Sequence, residues 1–257
     1  MTRCSSTPLG WVARRSFLAA AVAMLTTAAS AADGPAPYGD ISGLKLARPE
    51  DKIDAPSVPP PPGALVLFDG TNLDPWVAKD GRSPARWELV GGGAMQVRGG
   101  DIKTRRAFDG HVKLHVEFRV PYMPEAKGQA RGNSGVYLQG RYEVQVLDSY
   151  GLASKDNDCG GIYEVATPLA NACKAPTVWQ TYDIDFRAPV FKDGKKVAPA
   201  RISVVHNGVP IHKDVAIPVD NTRAGLGGDP SRPGPIMLQD HGNPVQYRNI
   251  WLVPLDD

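Results

Sequence analysis

The chain has 257 residues, with 29 basic and 27 acidic side chains and a formal net charge of +2 at pH 7. Three of the arginines lie in the first 31 residues, which contain no acid, so the rest of the chain has 26 basic against 27 acidic side chains. This balance, without a basic tract, excludes a nucleic-acid-binding surface and favours a small polar ligand.

The N-terminus has the features of a cleaved export signal. Arg14 and Arg15 precede an apolar run, residues 17–29, that is too short to span a bilayer as a helix of the mature protein. Ala29-Ser30-Ala31 supplies small side chains for cleavage. We expect residues 1–31 to be a signal peptide, of twin-arginine type or alternatively an ordinary secretory one. The mature protein is then periplasmic or secreted, with no membrane span.

Residues 32–63 contain few apolar side chains, show no periodicity and end in Val58-Pro-Pro-Pro-Pro-Gly63. This composition predicts a Pro-rich disordered linker that contributes little to a core. Residues 64–257 are enough for one domain with a sizeable core.

Short strands and Gly-rich turns fill that domain, and no long stretch keeps a helical period. The Asn207-Gly208 pair between two apolar runs predicts a hairpin. The pattern as a whole predicts an all-β jelly roll, a sandwich of two antiparallel sheets. The predicted strands are residues 65–68, 87–90, 94–97, 112–120, 134–138, 142–147, 181–186, 201–206, 236–239 and 246–253.

Polar and apolar side chains alternate in the predicted strand 142–147. An apolar face, which begins with Tyr142, alternates with a face that carries Arg141, Glu143 and Gln145. An acid, an amide and a guanidinium on one face are suited to the floor of a polar binding cleft. A solvated sheet face is the alternative.

The histidines divide into two groups. His111 and His115 share a strand face with Lys113, Glu117 and Arg119, and this charged face is expected to be solvated rather than to bind a metal ion. By contrast, His241 follows Gln239 and Asp240 at the end of a strand, where an acid beside a histidine can orient it for proton transfer or ligation. A turn-capping Asp240 with a surface His241 is the alternative.

Cys159 and Cys173 are the cysteines of the mature chain. In an oxidising compartment they are expected to form a disulfide, and metal ligation is the lesser alternative. The region around them adds Tyr163, Trp179 and Gln180, residues typical of sugar binding, although we assign Trp179 to the core.

Glycoside hydrolases of the jelly-roll type place a pair of carboxylates on their cleft strand. Here the next residue on the same strand face as Glu143 is Gln145, and on a regular strand Asp148 would lie on the opposite face. This pattern does not support ordinary two-carboxylate hydrolysis.

Several motifs together resemble the 3-keto-disaccharide hydrolase family, whose members include 3-keto-glycoside 1,2-lyases and 2-hydroxy-glucal hydratases. The resemblance runs from about Leu65 to Leu255 and implies a concanavalin-like jelly roll. The motifs are Leu67-Phe-Asp-Gly-Thr-Asn-Leu73, Gly132-Asn-Ser-Gly-Val-Tyr-Leu138, Gly140-Arg-Tyr-Glu-Val-Gln-Val-Leu-Asp-Ser149, Trp179-Gln-Thr-Tyr-Asp-Ile184, Asn207-Gly-Val209, Leu238-Gln-Asp-His-Gly242 and Arg248-Asn-Ile250.

The resemblance implies cleavage of a 3-keto-glycoside by β-elimination, followed by hydration of the resulting 2-hydroxy-glucal. Glu143 or His241, the latter beside Asp240, is the expected base. A divalent metal ion is a candidate cofactor, and Glu143 and His241 would be its ligands. The residues expected to bind the sugar are Asn133, Tyr137, Arg141, Gln145, Tyr163, Gln180, Gln239 and Arg248.

The expected partner is a small carbohydrate. A separate sugar 3-dehydrogenase must supply the ketone, because the chain has no dinucleotide-binding fingerprint. A non-catalytic glycan-binding module and a conventional glycoside hydrolase are the alternatives, since one fold serves many functions.

Overall fold

The computed structural model describes Met1 and residues 38–255, and the predicted signal peptide lies almost entirely outside them. The protein is nearly all-β, with 40% strand and 3% helix, and the predicted fold class is confirmed. Its short 3-10 helices are Pro49–Lys52 and Gly128–Ala130. No helix of the described residues is long and apolar enough to cross a membrane.

The strands are β1 (Leu65–Phe68), β2 (Trp76–Ala78), β3 (Glu88–Val90), β4 (Ala94–Gln96), β5 (Ile102–Phe108), β6 (His111–Arg119), β7 (Ser134–Leu138), β8 (Tyr142–Val146), β9 (Gln180–Arg187), β10 (Val190–Lys192), β11 (Lys195–Ala198), β12 (Ala200–His206), β13 (Val209–Ile217), β14 (Gly234–Leu238) and β15 (Gln246–Leu255).

Two antiparallel sheets form the sandwich. The larger sheet has eight strands in the order β13-β12-β9-β6-β15-β4-β3, and β1 pairs with β15. The smaller sheet has five strands in the order β2-β5-β14-β7-β8, while β10 and β11 form a separate hairpin. The predicted turn at Asn207-Gly208 joins β12 to β13, and both residues have positive φ, as a two-residue hairpin turn requires.

The core lies between the sheets, because each strand places alternate side chains on its inner face. Val112, Leu114, Val116 and Phe118 of β6 are buried there. The same alternation in β8 buries Tyr142, Val144 and Val146. Tyr142 and Phe186 make contact across the interior, with ring centroids 5.5 Å apart. The small sheet is thereby anchored on one face, and its other face carries the polar residues of strands β7 and β8.

Residues 38–62 pack against the sandwich, which differs from the disordered linker expected for residues 32–63. Ala55 N donates to Trp179 O at 2.9 Å, and Trp179 N donates to Asp54 Oδ1 at 2.9 Å. The indole of Trp251 donates to Val58 O at 3.0 Å. Tyr38 is also buried. The segment lacks a regular period because it follows the sheet surface as irregular chain and contributes only scattered contacts.

This segment covers part of the outer face of β6, so the expectation of a solvated His115 and Glu117 was wrong. Both side chains are 0% exposed. Glu117 accepts hydrogen bonds from Ser57 and Asn249, and Arg248 Nε lies 2.7 Å from its other oxygen. Burial alone would raise the pKa of Glu117, but these bonds and one from His115 together lower the pKa to about 2.

Candidate active site

The outer face of the small sheet carries the site. In the antiparallel register of β7 and β8, Gly135 lies opposite Gln145 and Tyr137 lies opposite Glu143. Gln239, just beyond β14, lies next to them because its backbone N–H donates to the backbone oxygen of Gly135 at 3.0 Å. Since side chains alternate along a strand, the residues that flank these positions point into the core instead.

A cavity of about 230 Å³ opens on this face. Polar side chains dominate its wall, and Glu143 is its one carboxylate. The lining residues are Gln129, Asn133, Glu143, Gln145, Tyr163, Arg223, Ala224, Gln239 and His241.

A larger cavity, of about 370 Å³, lies on the outer face of the eight-stranded sheet beside Trp251. Its carboxylates are already paired with histidines: Asp183 Oδ1 lies 2.6 Å from His115 Nδ1, and Asp185 Oδ1 lies 2.8 Å from His111 Nε2. We therefore place the candidate active site at the smaller cavity, where polar groups remain available to a ligand.

Glu143 is only 3% exposed. Burial raises the pKa of its carboxyl group to about 8, and the negative charges of Asp101 and Glu164 act in the same direction. A hydrogen bond from Tyr137 opposes this rise. At neutral pH the carboxyl group is largely protonated and close to its point of titration, as a group that exchanges protons with a substrate requires.

Tyr137 and Gly135 hold this carboxyl group in place. Gln239 Nε2 donates to Tyr137 Oη at 3.0 Å. Burial, followed by the charge of Glu143, raises the pKa of Tyr137, so the phenol stays neutral. A Cβ atom at position 135 would overlap Oε1 of Glu143 and the ring of Tyr137. Glycine at this position is therefore what leaves room for the carboxyl group.

Two loops form the rim of the cavity. Thr222 Oγ1 accepts from Glu143 N at 3.1 Å and donates to Arg141 O at 2.9 Å, which fixes the loop that carries Arg223. The guanidinium of Arg223 pairs with Glu164 at 2.8 Å. On the other side, Tyr163 N donates to Glu143 O at 3.3 Å. Both loops are thus tied to the backbone next to the buried carboxyl group.

The structure brings together five of the eight residues that the sequence predicted to bind the sugar. Asn133, Gln145, Tyr163 and Gln239 line the cavity, and Tyr137 contacts Glu143 from beside it.

The other three lie elsewhere. Arg141 follows the turn after β7, where its guanidinium binds the carbonyl oxygens of Asp229 and Arg232. Gln180 Oε1 accepts hydrogen bonds within the larger sheet, from His206 among others. Arg248 stacks over Trp179, 4.2 Å from the ring centroid, and pairs with Glu117.

The expected pairing of Asp240 with His241 is not formed. Asp240 accepts from Gly100 N at 2.7 Å and from Gly242 N at 2.8 Å, so its carboxylate holds the turn. His241 nevertheless lines the cavity as an exposed side chain. The arrangement matches the turn-capping alternative for Asp240 and keeps His241 within the site.

The predicted disulfide is absent, because Cys159 and Cys173 are free and buried. Their sulfur atoms and a ring nitrogen of His206 lie within 4.8 Å of one another. Cys159 Sγ also lies 3.1 Å from the hydroxyl of Tyr182, which donates to Gln145 O at 2.7 Å. The thiols therefore pack behind strand β8, opposite the cavity.

Glu143 and His241, the candidate metal ligands, both line the cavity. Among the described residues, the one group of three His, Cys, Asp or Glu ligand atoms that lie together is the interior cluster of Cys159, Cys173 and His206. Catalytic zinc sites use three protein ligands. Glu143 and His241 alone are two such ligands, so the cavity residues do not fit a catalytic zinc ion.

Sequence reasoning missed Gln129, Arg223 and Ala224. Gln129 belongs to the short 3-10 helix Gly128–Ala130, and the other two lie in the loop between β13 and β14. These segments have no periodicity that indicates which side chains face a cavity. The position of Arg223 in the cavity wall depends on the contacts of Thr222, which no local sequence pattern predicts.

Residues 63–253 match the family model described as a 3-keto-alpha-glucoside-1,2-lyase-like domain. The chain belongs to this family. The predicted resemblance is confirmed, and it covers both sheets and every residue that lines the cavity. Among curated proteins, none matches the chain.

Solved structures similar to this family member include two from Parabacteroides distasonis ATCC 8503, each described as a candidate glycosyl hydrolase. The first is 37% identical, covers 76% of this chain and 85% of its own, and superposes with a TM-score of 0.67. The second is 20% identical, covers 76% and 94%, and has a TM-score of 0.53, so it supports the fold alone. The family and the first structure support a carbohydrate-active enzyme.

Proposed function

We propose that the protein cleaves 3-keto-glycosides by β-elimination across C1 and C2 and hydrates the resulting 2-hydroxy-glucal. The observation that supports this proposal is the single buried carboxyl group of Glu143, whose pKa is raised to about 8 in a cavity lined otherwise by neutral and basic side chains.

A conventional glycosidase needs a second carboxyl group, about 5–9.5 Å from the first, to act as acid, base or nucleophile. Asp101 and Glu164, the acids that influence Glu143, are not among the described residues that line the cavity. One free carboxyl group suits a reaction that begins with removal of a carbon-bound proton.

A ketone at C3 acidifies the C2 proton. The Glu143 carboxylate takes this proton, and the C–H electron pair forms an enolate with the C3 oxygen. The enolate then restores the C3 carbonyl and forms the C1–C2 double bond, while the C1–O bond breaks and the leaving oxygen takes its electron pair. A raised pKa makes Glu143 a stronger base than an ordinary carboxylate, which favours the first step.

We assign the remaining groups from their positions in the cavity. Arg223 carries a positive charge, and its exposed guanidinium can exchange Glu164 for the developing enolate oxygen. His241, exposed on the rim, is suited to protonate the leaving oxygen. In the hydration step water adds at C1, and protonated Glu143 returns a proton to C2. The sum of the two steps is hydrolysis of the keto-glycoside.

The proposed reaction needs a separate sugar 3-dehydrogenase to oxidise the substrate at C3. We also propose export to the periplasm, which rests on the paired arginines and small residues of the first 31 positions.

The decisive experiment incubates the protein with a 3-keto-glycoside and, separately, with its unoxidised parent, and follows release of the leaving alcohol. Turnover of the keto form alone is expected. Turnover of the parent would instead support a conventional glycosidase, and binding without turnover of either would support a glycan-binding module. Glu143→Gln serves as the control for background elimination, because the amide cannot take the proton.

A further inference from the structure

Three side-chain amides interlock at one end of the cavity. Asn133 Nδ2 donates to the backbone oxygen of Gln129 at 2.7 Å and to Gln129 Oε1 at 3.1 Å. Gln145 Nε2 donates to Gln129 Oε1 at 3.0 Å. Gln129 Nε2 in turn donates to Asn157 O at 2.8 Å. One glutamine therefore receives the NH₂ groups of the other two side chains.

This network fixes which way each amide faces. The backbone oxygens of Gln129 and Asn157 can only accept, so Asn133 and Gln129 must present their NH₂ groups to them. Gln129 Oε1 is then an acceptor, and Gln145 must present its NH₂ group as well. Flipping any of the three amides would set two donors or two acceptors against each other.

The oxygens at the other end of two amides remain unsatisfied. Asn133 Oδ1 and Gln145 Oε1 are buried and have no hydrogen-bond partner among the described residues. Both side chains line the same cavity as Glu143, and each residue is 1% exposed. A buried acceptor without a donor is energetically unfavourable. A ligand that supplies two donors at this end would remove that penalty.

The ligand groups that match two neutral acceptors are hydroxyls. Gln145 lies two residues from Glu143 on one strand face, at a spacing of ~7 Å. If C1, C2 and C3 of the sugar lie at Glu143, as the proposed function requires, the hydroxyls available at the amide end are those on C4 and C6. The C3 ketone has no proton to donate, so the amide oxygens also disfavour the reversed orientation of the ring.

We propose that Asn133 and Gln145 bind the 4- and 6-hydroxyls of the keto sugar, and that Gln129 is the positioning residue that fixes the orientation of both amides. This inference rests on the proposed function, since that function places the reacting carbons at Glu143. It makes the protein selective for keto sugars whose 4- and 6-hydroxyls carry no substituent.

The test compares kcat/KM for methyl 3-keto-glucopyranosides of both anomers with their 4-deoxy and 6-deoxy analogues. A site built to bind a hydroxyl strongly rejects an analogue that lacks it. We expect the wild type to disfavour each deoxy analogue by at least ~100-fold, and we expect Asn133→Leu and Gln145→Leu each to lose most of the discrimination against one analogue.

Gln129→Leu separates positioning from general damage. It removes the Oε1 acceptor shared by both amides and leaves Gln145 only the longer bond to Asn157 O, at 3.4 Å. Discrimination against both analogues should therefore fall, whereas a merely structural defect would lower all rates alike and leave the ratios unchanged. Gln96→Leu, a glutamine of β4 outside the cavity, should leave the ratios as in the wild type. Equal use of parent and deoxy analogues by the wild type, or unchanged ratios in Gln129→Leu, would overturn the inference.

Hydroxyl recognition can be tested even if the proposed function is wrong. If no keto sugar is turned over, calorimetry with unoxidised methyl glucopyranosides and their deoxy analogues decides the inference alone. Binding that weakens for the deoxy analogues, and does not weaken further in Gln145→Leu, supports hydroxyl recognition. Equal binding of all analogues, or none, refutes it.

Discussion

Tyr137 lies directly opposite Glu143 on the neighbouring strand, and its hydroxyl forms a hydrogen bond with the buried carboxyl group. The bond lowers the pKa of Glu143 against the larger effect of burial, which leaves that pKa at about 8. Tyr137 thus adjusts the pKa of Glu143, the only carboxylate among the described residues that line the cavity.

Glu143→Gln should abolish most activity and leave the fold intact. The amide has nearly the shape of the neutral carboxylic acid that predominates at neutral pH, but it cannot accept the C2 proton. Loss of a general base lowers the rate by about 10²–10⁴-fold. The measurement is kcat on a 3-keto-glycoside, with circular dichroism as the control for folding. Activity within a few-fold of the wild type would remove Glu143 from the role of base.

The activity of the wild type should rise as the pH increases towards about 8, because the base must be ionised. Tyr137→Phe removes a hydrogen bond that lowers the pKa of Glu143, so the rise should move to higher pH. Tyr163→Phe is the matched control, since its hydroxyl does not hydrogen-bond the carboxyl group. The readout is the midpoint of the kcat/KM profile. A midpoint unchanged in Tyr137→Phe would contradict the assignment.

The free energy of unfolding should also depend on the ionisation of Glu143. The pKa of Glu143 is about 8 in the folded state, above the ordinary glutamate value of 4.5, so the folded state binds the proton more tightly. This contribution to stability is complete below about pH 4.5 and is lost as pH rises through about 8. Urea unfolding at pH 6 and pH 9 should therefore show the wild type losing stability relative to Glu143→Gln. A constant difference between the two proteins would show that the carboxyl group is not desolvated.

Much of the fold could be predicted because alternation of side chains reports directly on sheets. Strands β6, β8 and β9 alternate clearly, and so does β12. Strand β5 was missed because Arg105, Arg106 and Ala107 are exposed in succession and break the period of two. Strand β2 has only three residues, too few to show any period.

The site was harder to predict, because alternation shows which residues share a face but not what covers that face. Glu143 and Gln145 were found on strand β8, whereas Arg141 proved to belong to the preceding turn, whose direction depends on the loop at Asp229. Gln129 joins the site through contacts between segments distant in sequence. No period in the sequence encodes such contacts.

Glu117 of β6 is a buried carboxylate. Ser57, Asn249 and Arg248 donate to it, and His115 stacks on the ring of Trp251, with centroids 4.8 Å apart. Glu117→Gln would leave Arg248, whose side chain is partly buried, without its ionic partner. A hydrogen bond to a charged group contributes about 1.5–3 kcal/mol, so the free energy of unfolding should fall by about 1.5–3 kcal/mol at pH 7.

Glu88→Gln provides the control, because Glu88 forms an exposed pair with Arg98 and its loss should cost less than about 1 kcal/mol. The pH dependence gives a second check on Glu117. Its pKa is lowered to about 2, so the stabilisation is present above about pH 4.5 and is lost as pH falls through about 2. The difference between the wild type and Glu117→Gln should therefore shrink in acid. Equal losses from Glu117→Gln and Glu88→Gln at pH 7 would mean that residues 54–58 do not shield this carboxylate from water.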